Sequence, residues 1–277
     1  MIIDAHQHFW EPARFHYPWM TPEVAVLARD YLPGDLAGIL ADLGIDRTVV
    51  VQATHSEEET RWLLELAEKQ AFIAGVVGWV DFTSPRLRVS LEEFAGRRKF
   101  VGLRHQVHDE TDPEWLLRPD VLNGLALLSR FGLPYDLLVR APHLRRVQLL
   151  AQRLPDLRMV IDHIAKPPIA RREFDEWAQA MRPLAAHANL YCKLSGMVTE
   201  AEWSNWKPRD LEPYARYVLD LFGPERVMFG SDWPVCLLAG SYRSVWETAH
   251  ALLDGFDASA QQKVFGGTAT AFYRLPA

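Results

Sequence analysis

Short apolar runs rich in β-branched residues recur along the chain, and the longer stretches between them carry apolar positions at helical spacing. The runs fall at residues 2–6, 47–52, 72–79, 100–106, 134–139, 159–163, 190–194 and 227–230. Several are nearly continuous in apolar residues rather than alternating, as in Thr48-Val49-Val50-Val51 and Ile73-Ala74-Gly75-Val76-Val77-Gly78. Such runs suit parallel strands covered on both faces. Helical stretches occupy residues 36–43, 56–70, 119–130, 142–153, 172–187, 212–222 and 244–253. The second opens with Ser56 and has Glu59 three residues on, a capping-box pattern, followed by Leu63, Leu64, Leu66 and Ala67 on one face.

Strand alternating with helix predicts a (β/α)8 barrel in a single domain over residues 1–277. The length agrees, since such barrels close with about 250 residues. An open doubly wound sheet would alternate in the same way but would place a glycine-rich turn after its first strand. Gln7-His8-Phe9-Trp10-Glu11 is no such turn. The irregular stretch 9–33, rich in proline and aromatics, is expected to form the first βα loop, over the mouth of the barrel.

Composition narrows the partners. About half of the residues (49%) are hydrophobic, enough for a sizeable core, and the net charge of −6 comes without a basic run. Nucleic acid and anionic membrane surfaces therefore lack an electrostatic footprint. The start lacks the basic and apolar pattern of a leader, and no apolar run is long enough to span a bilayer, so a cytoplasmic location is expected. Cys192 and Cys236 do not make a disulfide framework and read as buried free thiols.

The chemistry starts at Asp4-Ala5-His6-Gln7-His8. Histidines at i and i+2 on a strand share a face, so His6 and His8 can hold one metal ion or polarise one carbonyl together. Barrel enzymes place catalytic groups at the C-terminal ends of their strands. His6, His8, Arg104, His105, Asp136, His163 and Asp232 all fall near such ends. The remaining histidines (His16, His55, His108, His143, His187 and His250) read as surface or satisfied core residues. Asp4 is expected to orient a histidine or to serve as a barrel-floor hydrogen-bond partner, and Asp162 to face outward.

Four motifs, in order, span most of the chain: residues 4–10 (DAHQHFW), 162–167 (DHIAKP), 193–201 (KLSGMVTEA) and 229–234 (FGSDWP). Together they resemble the sugar-lactonase branch of the amidohydrolase superfamily, the fuconolactonase and rhamnonolactonase type. The resemblance implies that His6 and His8 are the strand 1 pair, His163 the strand 6 histidine and Asp232 the strand 8 carboxylate. The binuclear members carry a lysine or glutamate on strand 4 and a histidine on strand 5. Here those places hold Leu103-Arg104-His105-Gln106 and Tyr135-Asp136-Leu137, which argues against a two-metal centre. Two alternatives stay open: one divalent ion, with zinc preferred, on His6, His8, His163 and Asp232, or a metal-free site in which the same histidines donate to the carbonyl.

The activity so implied is the opening of a sugar-derived aldonolactone, of L-fucono or L-rhamnono type, to the hydroxy acid. Asp232 is the expected general base, and His163 would ligate, donate or orient Asp232. Arg104 is expected to hold a ring hydroxyl or the developing carboxylate with its planar fork of donors. His105, Trp10, Lys166 and Trp233 are further substrate-contact candidates, with Trp19, Trp203 and Trp206 behind them, because indole faces pack on sugar C–H faces. The rivals are a pyrone dicarboxylate lactonase or a decarboxylase of the same superfamily. Their carboxylate substrates would call for several arginines, whereas these strand ends show chiefly Arg104 and Arg140. A barrel that only binds sugar fits poorly with four intact catalytic positions. The expected partner is thus a small sugar lactone, and tryptophan-rich loops leave room for a homodimer.

Overall fold

The computed structural model, which describes residues 1–276, has eight strands paired in chain order, every neighbouring pair parallel. They are β1 Ile3–Gln7, β2 Arg47–Val51, β3 Ile73–Gly78, β4 Phe100–His105, β5 Tyr135–Leu137, β6 Met159–Ile161, β7 Leu190–Leu194 and β8 Val227–Phe229. The helices are α1 Pro33–Leu43, α2 Glu57–Lys69, α3 Leu87–Ala95, α4 Pro119–Arg130, α5 Leu144–Arg153, α6 Asp175–Met181, α7 Met197–Glu200, α8 Pro208–Phe222, α9 Tyr242–Leu252, α10 Ala258–Gln262 and α11 Thr268–Tyr273. The (β/α)8 barrel expected from the pattern is present, and every apolar run holds a strand. The pattern named no helix at α3, α7, α10 or α11.

Two apolar layers hold the barrel. Between sheet and helices lies the larger one, and inside the barrel lies a smaller one that includes Ile3, Ala5, Val49, Val51, Val77, Val160 and Met228. Phe272, Tyr273 and Leu275 from the C-terminal segment pack into this inner layer and plug that end. Cys192 and Cys236 are free and buried. No helix among the described residues is long and apolar enough to cross a membrane.

Closure between β8 and β1 falls at the functional end. His8 N donates to Trp233 O at 2.7 Å and Asp232 N to His6 O at 2.8 Å, just past the end of β8. The Asp4 carboxylate staples the same seam: Oδ1 accepts from His6 N (3.0 Å) and Ser231 N (2.9 Å), Oδ2 from Ser231 Oγ (2.6 Å) and Tyr242 Oη (2.8 Å). Asp4 therefore serves as the barrel-floor partner and touches no imidazole. Its side chain reaches α9 while His6 faces inward because the register of β1 on β2 shifts between Asp4 and Gln7. A Cβ at Gly230 would come within 2.6 Å of His6 Cβ, so only glycine lets the two strands approach this closely.

At the start of α2, Ser56 Oγ accepts from Glu59 N at 3.1 Å, as the sequence pattern predicts. The reciprocal half of the capping box is replaced. Glu59 Oε2 instead accepts from Ala53 N (3.0 Å) and Thr54 N (3.2 Å), holding the loop that follows β2. Burial pushes the Glu59 carboxyl up to about 7, against the lowering effect of those two amides. A carboxyl whose folded pKa exceeds its unfolded value near 4.5 retains its proton better in the folded state. Its contribution is greatest below pH 4.5 and is lost as pH rises through 7. Glu59→Gln keeps an oxygen for both amides and abolishes the titration. We expect the variant to gain stability relative to wild type on the order of 3 kcal/mol at pH 8 and almost nothing at pH 4.5, in urea unfolding at both values. An equal effect at both would exclude the buried carboxyl as the source.

Candidate active site

At the C-terminal end of the strands a cavity of about 340 Å³ opens, lined by His8, Trp10, Trp19, Arg104, Gln106, His108, Asp109, Arg140, His163, Lys166 and Asp232, among others. This lies at the small end of ligand pockets, about 300–1,000 Å³. Its floor is a tight cluster. His6 Nε2 and His8 Nε2 are 3.2 Å apart, and Asp232 Oδ1 lies 3.8 Å from His6 Nε2, 3.4 Å from His8 Nε2 and 3.9 Å from His163 Nε2. His6 is fully buried beneath the cavity, and the other three are nearly so.

Each side chain is fixed from behind. His8 Nδ1 is 2.7 Å from Val51 O, which places the proton on Nδ1 and leaves the Nε2 lone pair facing Asp232. His163 Nδ1 pairs with Ser195 Oγ at 2.9 Å. His163, Ile164, Ala165 and Lys166 form a run of four left-handed residues (φ 53, 47, 61 and 50°), and Asp232 also has φ 57°. Left-handed backbone costs about 1–2 kcal/mol per non-glycine residue, so the turn needs outside support. Trp177 Nε1 donates to Ile164 O at 2.8 Å, and Gly196 yields the space His163 occupies, since a Cβ there would lie 2.4 Å from His163 Nδ1. Backbone strain of this kind concentrates at functional sites.

Under the imidazoles lies a layer of buried charge. Lys193 Nζ stands 2.5 Å from Asp136 Oδ2, 3.0 Å from Asp162 Oδ1 and 3.0 Å from His6 Nδ1. Arg104 donates to Asp162 Oδ2 at 3.2 Å and to Gln52 O, and its NH1 is 3.3 Å from His6 Nε2. Tyr273 Oη reaches Asp136 Oδ2 from below at 2.7 Å. Two cations thus meet two carboxylates. Burial pushes Asp136 up to about 6 despite Lys193. Burial would raise Asp162 too, but Lys193, His6 and Arg104 outweigh it and hold that carboxyl well below the usual range. Burial lowers His6, His8 and His163, with Lys193 adding to the effect at His6, so all three imidazoles are neutral near pH 7.

The donor set fits a divalent ion. Two zinc ligands at about 2.0–2.1 Å in tetrahedral geometry sit about 3.3 Å apart, close to the His6–His8 separation. His6, His8 and Asp232 converge as one metal-competent group. His163 belongs to a second such group, with His6 and Asp162.

A family model described as Amidohydrolase matches residues 3–275. The chain belongs to the amidohydrolase family. Among its relatives is an L-fucono-1,5-lactonase of Burkholderia ambifaria, 42% identical over 99% of this chain and 95% of that protein. Another is an L-fucono-1,5-lactonase of Burkholderia multivorans, 40% identical over 99% and 96%. The crystal structure of a Burkholderia multivorans amidohydrolase with bound Zn superposes with a TM-score of 0.94 at 41% identity, covering 100% of both chains.

The structure of this amidohydrolase brings Trp10, Arg104 and Lys166 to the cavity wall but not His105 or Trp233. His105 alternates with Arg104 along β4 and so faces the other way, stacking on Trp115 at 4.0 Å and meeting Glu110 at 2.6 Å. Trp233 follows Asp232 but packs edge-on against Tyr31 and Phe9 under the first loop. Asp162, expected to face outward, faces inward. The strand ends at Ile161, alternation carries Asp162 in, and the left-handed turn then brings His163 in beside it. Trp19 lines the cavity, whereas Trp203 and Trp206 bond Thr199 O and Ala239 O away from it. His108 and Arg140 line it as well, although His108 read as structural. Sequence reasoning assigned no role to Lys193 or Ser195. A lone lysine between Cys192 and Leu194 on a buried strand was the available signal.

Lys193→Met leaves two carboxylates without their shared cation. We expect a loss of about 3–5 kcal/mol in urea unfolding, partly recovered by adding Asp136→Asn. No recovery in the double variant would show that packing, and not charge, is what Lys193 supplies. Gly196→Ala should displace His163 and lower kcat about 100-fold, the usual cost of an ångström-scale misplacement, as read from steady-state rates.

Proposed function

We propose that this amidohydrolase is a lactonase that opens a neutral six-carbon aldonolactone, L-fucono-1,5-lactone, to its aldonate. The observation that carries the reading is the gathering of His6, His8 and His163 around Asp232 Oδ1 at the floor of a small cavity. The relatives named as L-fucono-1,5-lactonases, which match almost end to end, supply the substrate. The charges at the cavity agree with a neutral ring entering it, because each cation already has a carboxylate partner, Arg104 in Asp162 and Lys166 and Arg140 in Glu200.

In this reading Asp232 takes a proton from water as the water attacks the lactone carbonyl carbon. Negative charge then gathers on the former carbonyl oxygen, to which His163 donates from Nε2 in this reading. Asp232 returns the proton to the ring oxygen as the C–O bond breaks, which leaves the aldonic acid and a free hydroxyl, and the acid then releases its own proton to solvent and becomes the aldonate. Neutral imidazoles suit this work, since each can ligate or donate without the cost of a buried charge. His6, His8 and Asp232 would hold a divalent ion, zinc in our reading, and its chemistry there is Lewis-acid polarisation of the carbonyl. Trp10 and Trp19 offer indole faces to the C–H face of the sugar.

The test is hydrolysis of an aldonolactone panel by pH-indicator assay, on the protein as purified and after chelation, with metal content measured on both. We expect L-fucono-1,5-lactone to be turned over fastest and Asp232→Asn to lower kcat by about 10³-fold while the lactone is still bound. Activity falling in step with lost metal would give the ion its role, and activity surviving complete stripping would give it to the imidazoles. Failure to open any aldonolactone would sink the assignment.

A further inference from the structure

Lys166 and Arg140 line the catalytic cavity and, from the other side, an outer cavity of about 500 Å³. One carboxylate holds both. Glu200 Oε1 is 2.6 Å from Lys166 Nζ and Oε2 is 3.5 Å from Arg140 NH1, and Glu200 lines only the outer cavity. The partition between the two spaces is therefore a cluster of two cations and one anion, one negative charge short of balance. Lys166 and Glu200 are mostly buried, with side chains only 14% exposed, and Arg140 is half exposed.

The cluster is built on the segments that carry His163. Lys166 ends the left-handed turn that His163 begins. Glu200 ends α7, which follows directly on the Ser195 that bonds His163. The same two stretches of chain are thus clipped together twice, once at the reacting centre and once at the partition. Of the other charged groups, Arg104 pairs with Asp162 and Asp232 lies among the imidazoles, Asp109 beside His108 also feels Arg140, and at the outer cavity Arg171 pairs with Glu173 while Glu176 lines the wall.

We propose that Lys166 and Arg140 form the carboxylate site for the product of ring opening. A neutral lactone gains nothing by displacing Glu200, whereas the aldonate carries a new carboxylate that supplies the missing charge. It takes over one or both cations from Glu200 and leaves through the outer cavity. The exchange is of ion pairs only, so no covalent bond changes and no proton moves. The proposal rests on the lactonase reading, and it deepens that reading by giving the cations a part in release.

The experiment measures product inhibition by added L-fuconate in initial-rate assays of L-fucono-1,5-lactone hydrolysis, for wild type, Lys166→Met, Arg140→Gln and Glu200→Gln. The readout is the ratio of the inhibition constant to the lactone KM. Losing one partly buried charge-assisted contact should raise that ratio about tenfold in Lys166→Met, and freeing the cations should lower it about tenfold in Glu200→Gln. Arg140→Gln should raise it less, because Arg140 is the more exposed, and it keeps the test available if Lys166→Met does not fold. Opposite signs are the decisive result, since a partition merely loosened by either change would shift both ratios the same way. Ratios that move together, stay unchanged, or reflect inhibition too weak to measure in all the proteins overturn the carboxylate site and leave the lactonase reading standing. No lactone turnover by wild type removes both.

Discussion

The functional end of this barrel rests on the need to satisfy charge where water is absent. Lys193 is fully buried at the centre of the barrel, and it persists there because Asp136, Asp162 and His6 surround its three donors. Arg104 completes the layer by pairing with the far oxygen of Asp162. Above this layer sit the imidazoles and Asp232. Below it sit Tyr273 and the apolar plug. The ionic layer is therefore a platform: it fixes His6 from beneath and Arg104 from the side, and it turns a hydrophobic barrel into one with a polar floor. Paired buried charges of this kind add little net stability, but they penalise any other arrangement heavily.

Placement of the reacting groups is a backbone matter as much as a side-chain one. His163 lies two residues past the end of β6 and Asp232 three past the end of β8, and both adopt left-handed backbone. The seam where β8 meets β1 is closed by hydrogen bonds from the very segments that bear His6, His8 and Asp232. A barrel that failed to close would thus also fail to assemble its site. That coupling ties the stability of the seam, with Asp4 as its staple, to the geometry of catalysis.

The parts legible in the sequence are those governed by local period and by a rule of the fold. Apolar runs located the strands, the i, i+2 histidines located one wall of the site, and the C-terminal-end rule gathered Arg104, His163 and Asp232 with them. Period along one strand also explains why His105, offered as a substrate contact, turns away from Arg104. It could not reveal which residues face each other across the barrel, so the Lys193–Asp136–Asp162 contacts, over separations of 57 and 31 residues, went unread. Nor does a non-glycine sequence advertise left-handed backbone, which is why Asp162 was placed on the wrong face. Trp233 misled for a simpler reason, because adjacency to Asp232 says nothing about the opposite side of the chain.

The state of His6 follows from the layer beneath it. Its Nδ1 lies between a donor, Lys193 at 3.0 Å, and an acceptor, Asp162 Oδ1 at 3.4 Å. With the proton on Nδ1 pointing at Asp162, the Nε2 lone pair faces His8 and Asp232, as a metal ligand requires. With Nδ1 accepting from Lys193, Nε2 carries the proton and becomes a donor to His8 Nε2 or to a carbonyl oxygen. A neutral imidazole has one proton to place, so it cannot satisfy both. The two readings of the chemistry, ion-assisted and imidazole-assisted, thus differ in the position of a single proton, and Lys193 and Asp162 compete for it. Counting ligands at the surface of the site does not decide between them. The balance of charge one layer down does.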